Sequence, residues 1–198
     1  MQESEGVKTD QIYRVNCLIS CKAREDKLVA ANKSKTKMNG IHYTPTILAD
    51  FVAQKIYEQF RGVKFDKLRI LDPAIGDGQL ITSLLHTFYE GTNELLGIKV
   101  FGFDTDEQAV SSARSNIDMF DTDETEIVKQ DFLDYVLAHD QGSLFTTNIP
   151  AYDIIISNPP YVRTQVMGGE RSRQLANTFE LNGRIDLYHA FLSAIEKV

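Results

Sequence analysis

The chain has 198 residues, 42% of them hydrophobic and 25% charged, with a formal net charge of −7. That composition suits one domain with a buried core, offers no apolar run long enough to span a bilayer, and argues against a stand-alone nucleic-acid binder. The N-terminus, MQESEGVKTDQ, has no apolar signal-peptide core, so a cytoplasmic protein away from membranes is expected.

The charge is uneven. Residues 1–40 hold eight Lys/Arg against five Asp/Glu, a net of +3, and the remainder holds thirteen against twenty-three, a net of −10. The densest basic cluster is Lys33-Ser34-Lys35-Thr36-Lys37, a solvated stretch with phosphate contact as its functional reading. Residues 10–32 lack Gly and Pro and carry scattered apolar positions, which predicts one or two helices. Residues 1–39 then form a helical extension ahead of a main domain at 40–198. On such a helix Cys17 and Cys21 share one face. A zinc site needs about four ligands and no His/Cys cluster completes one here, so these are two small buried or half-buried thiols and no metal is expected.

Asn39-Gly40 marks a turn, and IHYTPTILADFVAQKIYEQF follows it. Thr44 reads as an N-cap with Pro45 at the first helical position. Ile47, Leu48, Phe51, Val52, Ile56 and Tyr57 recur at helical spacing and predict one buried face. From Lys67 the texture alternates. A strand at 68–71 leads through a glycine loop to a helix from about Gln79 to Tyr89. A second strand at 99–103 precedes a helix at 106–118. Short strands follow at 126–128 and 152–156, then a helix at 185–197. Strands separated by helices mean βαβ units and a parallel sheet with right-handed crossovers, an α/β fold.

Asp72, Asp104, Asp131 and Asn158 sit at the carboxyl ends of the four strands, spaced by 32, 27 and 27 residues. In an open parallel sheet ligands bind at that edge, so the four line one crevice. DPAIGDGQL (72–80) leaves the first strand and opens a helix, with Gly76 and Gly78 allowing a tight turn and close approach to a ligand. It is neither GxGxxG nor a P-loop. Asp104 in FGFDTD suits the two hydroxyls of a ribose. Asp131 and Phe132 in QDFLD suit an adenine, one accepting from its amine and one lying against its face. A ligand with an adenosine and a small anionic end fits all three sites, and S-adenosylmethionine has that shape.

Taken together, DPAIGDGQL, GFD, QDFLD and SNPPY resemble the class I methyltransferases, which implies a three-layer Rossmann-like sheet. HYTP ahead of them and NGRIDLYHAF after them resemble the N6-adenine DNA methyltransferases of restriction–modification systems, over roughly residues 37–197. The resemblance implies that Thr44 and Pro45 lie near the methionine end of S-adenosylmethionine and that Asp72, Ala74, Gly76 and Gly78 form its loop. It places Asp104 at the ribose and Asp131 and Phe132 at the adenine, and makes Asn158, Pro159, Pro160 and Tyr161 catalytic. Asn158 and the Pro159 carbonyl accept from the target amine, the paired prolines fix the backbone, and Tyr161 stacks on an adenine flipped out of duplex DNA.

That family normally continues with three more strands and a target-recognition domain, whereas this sequence stops at Val198. The expectation is therefore a sheet ending after the fourth strand and its helix, with strand 152–156 an exposed edge open to self-association or a partner chain. The isolated chain is expected to bind duplex DNA weakly and not to methylate it. Two alternatives stand beside the DNA reading: a protein-glutamine methyltransferase acting on release factors, and a non-catalytic cofactor-binding fragment that needs a partner.

Overall fold

Apolar, β-branched runs set the frame of the sheet. The computed structural model describes residues 15–18, 44–61, 63, 65–91, 97–140, 150–160, 168–181 and 186–198. In chain order the elements are β1 (Val15–Leu18), α1 (Thr46–Phe60), β2 (Leu68–Asp72), α2 (Gln79–Gly91), β3 (Ile98–Asp104), α3 (Glu107–Ile117), β4 (Glu124–Lys129), α4 (Phe132–Asp140), β5 (Ile154–Ser157), α5 (Gly169–Thr178) and α6 (Leu187–Ile195). The five strands lie in the order β1-β5-β2-β3-β4, and every pairing is parallel.

Alternation along the strands divides the core between the two faces of the sheet. Ile70, Val100, Ile154 and Ile156 point to the face covered by Val52 and Ile56 of α1, Leu84 of α2 and Val110 of α3. Leu71, Phe103 and Ile155 point to the other, where they meet Phe132 of α4, Leu175 of α5 and Phe191 of α6. The result is a three-layer α/β architecture, as expected. Each such fully buried Ile or Leu contributes about 1.5–3 kcal/mol of hydrophobic stabilisation.

Three expectations change. Val15–Leu18 is a strand and not part of a helix; it pairs in register with Ile154–Ser157. Cys17 therefore lies on a strand, which removes the shared helix face proposed for it, while Cys21 falls outside the described residues, as does the Lys33–Lys37 cluster. The same pairing places β5 between β1 and β2, so its backbone groups are satisfied on both sides. The expected self-association through an exposed β5 edge loses its physical basis.

The first helix also differs in detail. Pro45, not Thr44, occupies the N-cap, without a side-chain cap, and its carbonyl accepts from the amides of Leu48 and Ala49. The buried stripe is Ala49, Val52, Ala53, Ile56 and Phe60. Ile47 and Phe51 are 86% and 59% exposed and lie off that stripe, and Tyr57 and Phe60 meet Phe88 of α2 with ring centroids 5.5 and 6.4 Å apart. Helices α4 and α5 were not expected from periodicity; both are short and polar on their outer faces.

Candidate cofactor and amine site

Chain order reverses between β2 and β5. The chain steps outward from β2 through β3 to β4, then returns to the other side of β2 to form β5. Such a switch point opens a crevice at the carboxyl ends of the two strands. Asp72 closes β2 and Asn158 follows β5, so these two residues flank the crevice. Asp104 closes β3 and Asp131 follows β4, which carries the row along the same edge.

The glycine loop leaving β2 is pinned from three sides. Asp72 Oδ1 accepts from the Ala74 amide at 3.0 Å. The Ile75 amide donates to the Phe103 carbonyl at 2.9 Å, and the Gly76 amide donates to Asp104 Oδ2 at 3.0 Å. Asn116 of α3 donates its Nδ2 to the Asp77 carbonyl at 2.9 Å. Gly76 and Gly78 both have positive φ, 56° and 84°. A Cβ on Gly78 would come within 3.2 Å of the Ala113 backbone, so α3 packs against the loop where only glycine fits. Gly78→Ala is expected to cost about 1–3 kcal/mol through backbone strain. For a domain of this size that is a fall in Tm of roughly 2–12 °C, checked by thermal melting.

Asp72 is fully buried. Its Oδ2 has no hydrogen-bond partner among the described residues, and neither have Ser157 Oγ and Asn158 Oδ1. Burial pushes the Asp72 carboxyl up to about 7, with the Ala74 amide and the nearby Ser157 hydroxyl pulling the other way and the Asp104 charge adding to the rise. Ser157 is thus near enough to be felt electrostatically, yet neither it nor Asp72 Oδ2 completes a hydrogen bond with full geometry. Buried polar atoms without partners cost about 1–3 kcal/mol each. Clustered at a switch point, these two acceptors and one hydroxyl await polar partners. Ser157 escaped the sequence reading although it immediately precedes the NPPY motif.

Asn158 is held by Thr44, whose Oγ1 accepts from Asn158 Nδ2 at 3.3 Å. That contact occupies the amide nitrogen and leaves the oxygen as the unpartnered acceptor. Thr44, in the loop before α1, is thereby brought against Asn158. Pro159 is buried and Pro160 half-buried beside Asn158, while Tyr161 lies outside the described residues. Asp104 Oδ1 accepts from the Asp106 amide at 2.8 Å, so both of its oxygens are fixed and each retains a lone pair for a ligand.

Phe132 behaves differently from expectation. Phe132 is 1% exposed, with its ring centroid 5.5 Å from Phe103 and 5.9 Å from Phe191. It is a core residue and offers no free face to a base; the first turn of α4 draws the ring inward. Asp131 caps that helix, its Oδ1 accepting from Leu133 at 2.8 Å and Asp134 at 3.4 Å. Its Oδ2 lies 3.5 Å from Nη2 of Arg171 on α5, a residue with no motif to flag it in the sequence.

The sequence and the fold both have counterparts among known proteins. Residues 23–186 match the model of a family described as N-6 DNA Methylase. The chain is 40% identical over 171 residues to the type II methyltransferase M.BanIII of Aneurinibacillus aneurinilyticus, covering 81% of this chain and 28% of that protein. The chain thus spans under a third of the length of that relative. Among solved structures it resembles a protein of Listeria monocytogenes assigned as a class I S-adenosylmethionine-dependent methyltransferase, with a TM-score of 0.57 and 20% identity over 80% of this chain and 44% of that one. It also resembles a modification subunit assigned to a type I restriction enzyme of Vibrio vulnificus YJ016, with a TM-score of 0.58 and 18% identity over 80% of this chain and 30% of that one. The switch-point crevice and its loop are those of the class I methyltransferase fold, and the chain belongs to the N-6 DNA methylase family.

Proposed function

We propose that this protein transfers a methyl group from S-adenosylmethionine to the N6 amino group of adenine in DNA, as part of a restriction–modification system. The observation that carries the reading is the buried Asn158 Oδ1 at the switch point, without a hydrogen-bond partner among the described residues and held in place by Thr44 through the amide nitrogen. An adenine amine is a weak nucleophile because its lone pair is delocalised into the ring. An acceptor aimed at one N–H bond draws that lone pair out of conjugation, and the Pro159 carbonyl is the second acceptor. Paired prolines fix φ and so limit how far that carbonyl can move. The target base must leave the duplex to reach this depth, with Tyr161 as its stacking partner. Positioning and electrostatics then carry most of the rate, because the methylated amine loses its proton readily.

The residues present fit the cofactor. Asp72 Oδ2 is an acceptor without a fully formed hydrogen bond among the described residues, with the Ser157 hydroxyl beside it, which suits a ligand bearing a cationic end. Gly76 and Gly78 allow close backbone approach, and Asp104 offers lone pairs to a ribose. When bound, S-adenosylmethionine supplies an electrophilic methyl group on sulfur. Asp104→Ala is expected to weaken cofactor binding by about 1–3 kcal/mol, the range for an unpaired hydrogen-bonding group. Calorimetry showing equal affinity would remove Asp104 from the site.

The test of the function, made in a full-length context because the isolated chain is not expected to methylate DNA, is methyl transfer from tritiated cofactor to three acceptors offered separately: DNA free of N6-methyladenine, release factor, and the protein alone. Label appearing in DNA as N6-methyladenine is the expected result. Label in release factor, or cofactor binding without transfer to any acceptor, overturns the reading. A DNA substrate implies a cytoplasmic site of action, and no helix among the described residues is long and apolar enough to cross a membrane.

A further inference from the structure

Helix α5 follows the NPPY motif in the chain and is anchored by Leu175 and Phe179, 0% and 6% exposed, in the core cluster shared with Phe132 and Phe191. Its first turn carries Arg171 back to the exit of β4. There Nη1 contacts Asp134 Oδ1 at 2.5 Å and Nη2 lies 3.5 Å from Asp131 Oδ2. The tight contact to Asp134 fixes the guanidinium. The looser one leaves Asp131 Oδ2 with an open lone pair, since a saturated charge-assisted bond lies nearer 2.7–2.9 Å. Asp131 Oδ1 is meanwhile committed to the amides of Leu133 and Asp134. Every freedom of the Asp131 carboxylate except acceptance at Oδ2 is therefore removed.

We infer that Arg171 is a positioning residue that fixes Asp131 Oδ2 as the acceptor for the exocyclic amine of the cofactor's adenine. The inference rests on the proposed cofactor reading and deepens it. With Phe132 buried, discrimination at this strand end falls on the Asp131 carboxylate rather than on stacking. A carboxylate oxygen accepts from an amine and repels a carbonyl, so the site separates adenosyl from inosyl ligands. A preorganised acceptor separates them more sharply than a mobile one, because no side-chain ordering is needed on binding. Arg suits the role: its planar fork reaches two carboxylates at once, which a Lys ammonium cannot match in geometry.

The test compares binding of S-adenosylhomocysteine and S-inosylhomocysteine to the purified protein by calorimetry, with circular dichroism and thermal melting confirming folding. Wild type is expected to favour the adenosyl ligand by about 10-fold or more, the range for a hydrogen bond to a charged group. Asp131→Ala removes that preference. Arg171→Gln reduces it by about 5-fold or more, mainly by weakening the adenosyl ligand, and Arg171→Lys falls between wild type and Arg171→Gln. Should Asp131→Ala keep the full preference, the adenine reading of Asp131 fails and the inference falls with it. If Asp131→Ala abolishes the preference and Arg171→Gln keeps it, or weakens both ligands equally, the reading stands and the positioning role of Arg171 is overturned. Were Arg171→Gln not to fold, Arg171→Lys decides alone: an unchanged preference overturns the role.

Discussion

Asn158→Ala lowers the rate of methyl transfer by about 10²–10³-fold, the scale seen when one preorganised polar group facing the reacting atoms is removed. Cofactor affinity changes by no more than about twofold, because the lost contact is made to the target amine, so the deficit falls on kcat rather than on cofactor KM. Asn158 Oδ1 is buried and has no partner among the described residues, so its desolvation has already been met in folding. Removing it relieves a buried acceptor, and the variant should melt no lower than wild type. Asn158→Asp separates the roles further, since it keeps an acceptor but loses the donor that reaches Thr44 Oγ1. Single-turnover transfer with tritiated cofactor, in a full-length context, reads both variants. Near-normal turnover in Asn158→Ala defeats the mechanism.

The parts of this site that the sequence discloses are those fixed by local chemistry. Apolar runs ending in Asp72, Asp104 and Asn158 announce strands whose carboxyl ends meet, because parallel strands joined by helices all point their ends the same way. The glycine loop is legible for the same reason, since positive φ at Gly76 and Gly78 demands glycine. What stays hidden depends on distant partners. Val15–Leu18 is too short for periodicity to distinguish strand from helix, and its pairing with β5 is made by residues at the far end of the chain. Phe132 has the composition of a base-stacking ring, and only the packing of α4 against Phe103 and Phe191 turns it into core. Arg171 looks like one more exposed cation on a polar helix, and nothing local indicates that its fork closes on Asp131 and Asp134.

Asp72→Asn changes how stability depends on pH. In the folded chain the carboxyl titrates at about 7, against an ordinary value of 3.8. Burial is the main cause, and the folded state therefore holds a proton that the unfolded chain has already released between those two values. A group whose folded pKa is raised contributes its full stability below the unfolded value and loses it as pH rises toward the folded one. Wild type should accordingly lose up to about 4 kcal/mol of stability from this residue between pH 4 and pH 7. Asparagine cannot ionise, so the difference in stability between Asp72→Asn and wild type moves in the variant's favour by that amount across the window. Thermal melts at pH 4.5 and pH 8 should then show the variant gaining on wild type by roughly 8–16 °C in relative Tm. A cationic ligand in the crevice acts on the same proton: it favours the ionised carboxylate, so S-adenosylmethionine affinity in wild type rises with pH through 7, and Asp72→Asn flattens that rise. Parallel melting curves for the two proteins across the pH range would show that the Asp72 carboxyl does not titrate where its burial places it.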